Sequence, residues 1–150
     1  MDTSFRKTTS PLLDEIIKGL VGWDYEVTSE PTWEYNCIAW AAGDDSCGWW
    51  PGNRPDWYWP DGAPEEETVA AFVKAYETIG YHVCDGDSYD PDYDKIAIYV
   101  DEGGEPKHAA KQLDALYWTS KLGRLHDIKH PLAALETEYG RATVFMRRPR

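Results

Sequence analysis

The run Lys95–Leu122, KIAIYVDEGGEPKHAAKQLDALYWTSKL, decides the fold. Lys95–Val100 (KIAIYV) alternates and carries the β-branched residues that suit a strand. EGGEP at Glu102–Pro106 turns the chain, KHAAKQL at Lys107–Leu113 extends, Asp114-Ala115 turns again, and LYWTSKL at Leu116–Leu122 returns. Tyr81–Cys84 (YHVC) reads as a short strand before this run, and Arg141–Arg148 (RATVFMRR) as a final one. Between them, HDIKHPLAALETEYG permits a loop with one short helical turn after Pro131.

Helical signals precede the strands. Ser10-Pro11 supplies a cap and a first-turn proline for Leu12, Leu13, Ile16, Ile17 and Leu20 at helical spacing, ending at Gly22. Cys37–Ala42 fits a brief second helix. A third runs from Pro64 through three glutamates and the face Val69, Phe72, Val73, Tyr76 and Ile79 to Gly80. Helices followed by consecutive strands predict an α+β fold, with N-terminal helices packed on one side of an antiparallel sheet of four to five strands. The expected organisation is one domain over residues 1–150, with 1–9 a loose N-terminal segment.

Composition narrows the function. The 150 residues carry a net charge of -12, which repels nucleic acid and anionic membranes, and the basic RRPR end is too short to reverse that. No window approaches eighteen apolar residues, and the start MDTSFRKTTSPLLDE lacks an export signal's apolar core, so a cytoplasmic location is expected. Cys37, Cys47 and Cys84 cannot all pair and do not fit a zinc spacing, so they are read as reduced thiols. The aspartates of Asp85–Asp94 lack the order and closing Glu of an EF-hand loop, so a solvated loop is expected there, with no metal and no cofactor.

One thiol stands out. In Tyr35–Gly43, YNCIAWAAG, a helix starting at Cys37 places Asn36 at the cap and the sulfur beside unpaired backbone N–H groups. There the dipole favours thiolate, and the same N–H groups suit an oxyanion. The competing reading is a small buried hydrophobe. Among four histidines, His82 sits in an apolar strand and His126 and His130 flank DIK in a loop. His108 opens a strand, followed by small Ala109 and Ala110 that let another element pack closely. Cys37 as nucleophile and His108 as base is the Cys-His arrangement this order suggests.

The words NCIAWA, WWP, YWP, HAAKQL, WTSKLG and IKH, spread over roughly residues 33–148, together resemble a family of small uncharacterised bacterial proteins. Cysteine at a helix start, then histidine opening a strand, also resembles the papain-like cysteine peptidase and amidase superfamily. The second resemblance implies a papain-like fold and Cys37–His108 chemistry. Its usual third residue, on the next strand, is less clear. A hairpin turning at Asp114-Ala115 sets His108 opposite Lys121, and a slip of one residue sets it opposite Ser120. Ser120 would accept the imidazole N–H, whereas Lys121 would disfavour the imidazolium. Gln112, on the same strand face, and His130 are further orienters, with Ser120 ranked first.

Trp49, Trp50, Trp57, Tyr58 and Trp59 either line a cleft for a peptide or sugar or staple their loop to the core. Two functions follow. One is a cysteine hydrolase or acyl transferase acting on an amide or peptide-like bond, with Asn36 and Cys37 forming the oxyanion site. The other is a non-catalytic acidic module of inhibitor or immunity type that binds a basic protein partner.

Overall fold

The computed structural model describes residues 10–52 and 55–150, without the side chains of Pro11 and Asp14. The loose segment expected at 1–9 lies outside the described residues. Nine strands are present among them: β1 Glu26–Val27, β2 Gly48–Trp49, β3 Trp57–Tyr58, β4 His82–Cys84, β5 Tyr93–Val100, β6 Pro106–Gln112, β7 Trp118–Lys121, β8 Asp127–His130 and β9 Arg141–Pro149. Four short helices accompany them: α1 Pro11–Ile16, α2 Cys37–Ala42, α3 Val69–Glu77 and α4 Glu136–Tyr139. No helix among the described residues is long and apolar enough to cross a membrane.

Seven strands form one sheet in the order β1-β8-β7-β6-β5-β9-β4, with every neighbouring pair antiparallel. Strands β2 and β3 form a separate parallel pair. The protein is therefore mostly β, which overturns the expected α+β, papain-like arrangement of helices on four to five strands. The expected meander exists as β5, β6 and β7, but β1, β8 and β4 extend it on both sides. Strand β9 crosses back to lie between β5 and β4, pairing Ile96↔Met146 on one side and Val83↔Met146 on the other.

The helices were also expected on one side, and they occupy both. Strand β5 explains this: Ile96 and Ile98 are fully buried on one face, and Ala97 and Tyr99 on the other. A strand buried on both faces needs cover on both. On the first face, Ile38, Ala39, Ala71, Phe72 and Tyr76 from α2 and α3 meet Ile96, Ile98, Ala109 and Met146. On the second, Leu13, Ile17, Leu20, Ala134 and Leu135 meet Ala97, Tyr99, Ala110, Trp118 and Ile128.

Local chemistry sets the helix lengths. The N-terminal segment is not one helix to Gly22. It breaks at Ile17 (φ -114, ψ 82) and resumes as a tight turn at Lys18–Leu20, which points Leu20 into the core. Gly19 abuts Thr137, whose Cβ would stand 2.9 Å from an added Cβ, so the turn docks closely on the 132–139 segment. Likewise α3 starts at Val69, not at Pro64. Thr68 caps it by accepting from the Ala71 N–H at 3.2 Å, and the glutamates before it lie in a bend.

Candidate functional site

The Cys37 helix forms as the sequence implies, and Asn36 caps it. Its Oδ1 accepts from the backbone N–H of Ala39 (3.1 Å) and of Trp49 (3.0 Å), while Nδ2 donates to the Trp49 carbonyl (2.7 Å). One amide thus caps α2 and ties it to β2. The one Nδ2 hydrogen bond shown thus goes to the backbone of β2, a structural tie. Tyr76 of α3 donates to the Ile38 carbonyl at 2.9 Å, clamping the first turn from the other side.

Cys37 is 8% exposed. Burial pushes its thiol up to about 11, against the backbone N–H groups of Ala109, Cys37 and Ile38 and the charge of Lys121, all of which favour the thiolate. The expected stabilisation by a helix start is therefore present, and desolvation outweighs it. The resting group is a protonated thiol.

His108 lies opposite Tyr99 in the β5–β6 ladder, and its ring packs on that tyrosine edge-on at 5.2 Å. Tyr139 of α4 stacks flat on it at 4.2 Å and 6°. The residue is 0% exposed, and neither ring nitrogen has a hydrogen-bond partner among the described residues. Burial, with a smaller contribution from His130, holds its pKa well below the usual histidine value, so the ring is neutral. No thiol–imidazole hydrogen bond exists among the described residues.

The two groups leave the sheet on different faces, Cys37 with Ala109 and His108 with Tyr99. Cys37 packs in one cluster with Ala109, the residue that follows His108 along β6. Tyr139, on the His108 face, also senses the sulfur: ionised Cys37 raises the Tyr139 phenol further, after the larger effect of burial. The β6–β7 ladder pairs Lys111↔Thr119 and Gln112↔Trp118, both beyond this point along β6.

That register corrects the expected third member. Continued along the strands, it carries His108 past both Ser120 and Lys121. Ser120 instead pairs with His130, Oγ to Nε2 at 2.7 Å, while His130 Nδ1 lies 2.7 Å from the Pro131 carbonyl. The carbonyl can only accept, so Nδ1 carries the proton and Ser120 donates to Nε2. Burial lowers the His130 pKa to about 4. Gln112 does not orient His108 either, because its Nε2 donates to the Asp87 carbonyl at 2.7 Å and ties down the acidic loop.

Lys121 projects to the Cys37 face. Its ammonium donates to the Gly123 (3.0 Å) and Leu125 carbonyls and lies 5.3 Å from the Tyr35 ring centroid. Beside it, Tyr35 donates to Asp127 Oδ2 at 2.7 Å, and burial raises the Asp127 pKa. Sequence reasoning misses the Lys121–Asp127 neighbourhood, because HDIKH reads as a loop. Gly123 after an alternating run, followed by a second short run, is the hairpin signal that could have found it.

Trp49 and Trp50 pack against α3. Trp49 packs on Tyr76 at 6.3 Å and donates its indole N–H to Asp44 at 2.9 Å, and Trp50 meets Phe72 edge-on at 5.4 Å. The tryptophans staple their loop to α3. An open cleft borders Tyr139: a cavity of about 470 Å³ lined by Asp101, Glu102, Lys107, Glu136, Glu138 and Tyr139 among others.

Neither a curated protein nor a solved structure matches the chain, so the papain-like part of the resemblance gains no support from known relatives. A family model does match, over residues 26–147, and the chain belongs to the family described as Domain of unknown function (DUF7689).

Proposed function

We propose that the protein is a cysteine-dependent hydrolase or acyl transferase acting on an amide or related acyl bond, with Cys37 as nucleophile and His108 as base. One observation carries the reading. The Cys37 thiol, at the start of α2, packs in one cluster with Ala109, the residue after a fully buried imidazole that has no hydrogen-bond partner on either nitrogen among the described residues. Buried polar groups are nearly always satisfied, and unsatisfied ones concentrate at functional sites. A neutral imidazole is in the protonation state a general base requires.

The chemistry follows from neutral partners. His108 takes the thiol proton as the sulfur bonds to the carbonyl carbon, and the carbonyl electrons move to oxygen, which the N–H groups at the start of α2 and of Ala109 receive. The intermediate collapses, the C–N bond breaks, and the imidazolium returns its proton to the leaving amine. Water or a second amine then releases the acyl group from sulfur. The imidazole must first leave its Tyr139 stack, so the resting arrangement is a closed one.

The second reading is an acidic, non-catalytic binding module. The raised thiol pKa and the missing thiol–imidazole hydrogen bond favour it. A panel of 4-nitrophenyl esters and anilides, with intact mass spectrometry of trapped acyl-protein, separates the two. Turnover is expected to vanish in Cys37→Ala and His108→Gln, each checked for folding by circular dichroism, and to persist in Cys47→Ala and Cys84→Ala. Turnover that survives Cys37→Ala, or none on the whole panel, overturns the cysteine reading.

A further inference from the structure

Lys121 is 0% exposed, and the chemistry of Cys37 and His108 does not use it. A buried ammonium is costly unless it is paired, and an apolar side chain of similar length would fill the space without that cost. Its natural partner stands directly opposite, because the β7–β8 ladder pairs Lys121↔Asp127. Yet the two make no ion pair among the described residues. The Tyr35 phenol takes Asp127 Oδ2 at 2.7 Å, and the buried Oδ1 has no hydrogen-bond partner among the described residues. Lys121 donates instead to the Gly123 and Leu125 carbonyls, which neutralise no charge. A full positive charge is held in the interior beside a carboxylate that another residue has engaged.

That charge lies on the Cys37 side of the sheet. Side chains alternate along a strand, so Lys121 leaves β7 on the same face as Thr119. Thr119 accepts the Trp40 indole N–H at 3.1 Å, which docks α2 there. Trp40 stacks on Tyr35 at 5.4 Å, and the Lys121 ammonium stands 5.3 Å from the centre of the same Tyr35 ring. Only the Asn36 cap separates Tyr35 from Cys37. The influence is mutual: the ammonium favours the Cys37 thiolate, and the thiolate favours the ammonium. Tyr76 and Tyr139 also bear on the sulfur, but burial raises both phenols and leaves them neutral. His126, beside Lys121, has its pKa lowered by burial and is uncharged above pH 8.

We propose that Lys121 is a positioning residue for the Cys37 nucleophile: its buried ammonium is the fixed counter-charge against which the sulfur ionises. The proposal rests on the cysteine reading. The lysine stabilises charge and transfers no proton. Tyr35 completes the arrangement, because by engaging Asp127 it keeps that carboxylate from neutralising the lysine.

The test is iodoacetamide alkylation of the full chain between pH 8 and 9.5, followed on the Cys37 peptide. Removing an opposite charge from beside a thiol raises its pKa by about one unit, so Lys121→Met should react about tenfold more slowly at each pH. A lysine that merely packs predicts the reverse sign, since its loss loosens the fold and admits reagent to the sulfur. Lys121→Arg keeps the charge and should not slow the reaction. Tyr35→Phe frees the Asp127 oxygen to pair with Lys121 and should slow it by about threefold.

Alkylation of Lys121→Met at or above the wild-type rate overturns the inference, as does equal slowing in Lys121→Arg. Should Lys121→Met fail to fold by circular dichroism, Tyr35→Phe decides: slowing supports the counter-charge, and an unchanged rate overturns it. Slowing as expected, with no turnover of the ester and anilide panel, overturns the cysteine reading and leaves the counter-charge standing.

Discussion

Resting Cys37 should be a slow thiol. Burial lifts its pKa from 9.0 to about 11. At pH 8 the thiolate fraction is then about 0.001 instead of about 0.1, so alkylation should be about 100-fold slower than for an ordinary thiol before access is considered. The assay is iodoacetamide labelling from pH 6 to 10.5, read peptide by peptide, with the same thiol in 8 M urea as reference. The native rate should climb about tenfold per pH unit from 7 to 10 without a plateau, because the thiolate fraction does. The same shift fixes a stability trend. The folded state holds this proton more tightly, so the contribution is complete below pH 9 and fades as pH rises towards 11, by about 3 kcal/mol in all. A native rate that is flat between pH 5 and 8 would mean a preformed thiolate–imidazolium pair. That result, or a rate equal to the urea rate, would refute the claim that desolvation governs this thiol.

Two further outcomes follow from the buried polar groups. Asn36→Ala removes the α2 cap and the bridge to Trp49 together, and should lower stability by about 2 kcal/mol in urea titration; a loss under about 0.5 kcal/mol would show the amide to be dispensable. His130 has its pKa lowered from 6.5 to about 4. Its stability contribution is present above pH 6.5 and is lost as pH falls through 4, about 3 kcal/mol at the limit. Unfolding titrations at pH 7, 5.5 and 4 should record the decline, with His108 acting in the same direction, and constant stability across that range would contradict a neutral buried ring.

The strands of the central meander were legible because their signals are local. Alternation in Lys95–Val100 and the two turns that follow survive as β5, β6 and β7. What escaped was set by tertiary pairing. Asp127–His130 is four residues with a charged or polar residue at each end and a lysine between, yet it is a nearly buried strand because β7 and β1 flank it. The two-residue β1, β2 and β3 have no sequence period at all. The site divides in the same way. The helix start at Cys37 and its Asn36 cap could be read from neighbouring residues, whereas the partner of Ser120 depended on a hairpin register that a single residue alters. Asp44, just past α2, is another tie set by tertiary packing: burial would raise its carboxyl, but hydrogen bonds from Ser46 and the Trp49 indole hold it below the usual carboxylate range.

Strand β9 sits between β5 and β4, so the segment Arg141–Pro149 joins the edge strand β4 to the rest of the sheet although it is made last among the strands. A nascent chain that has emerged only as far as Gly140 holds β5 with one bare edge and β4 with nothing to pair against. Hydrogen-bonding groups beside the apolar residues of β5 are then open to any extended segment nearby. Synthesis must pass Pro149 before this sheet can close, and a stop at residue 140 should yield insoluble polypeptide, not a smaller folded protein.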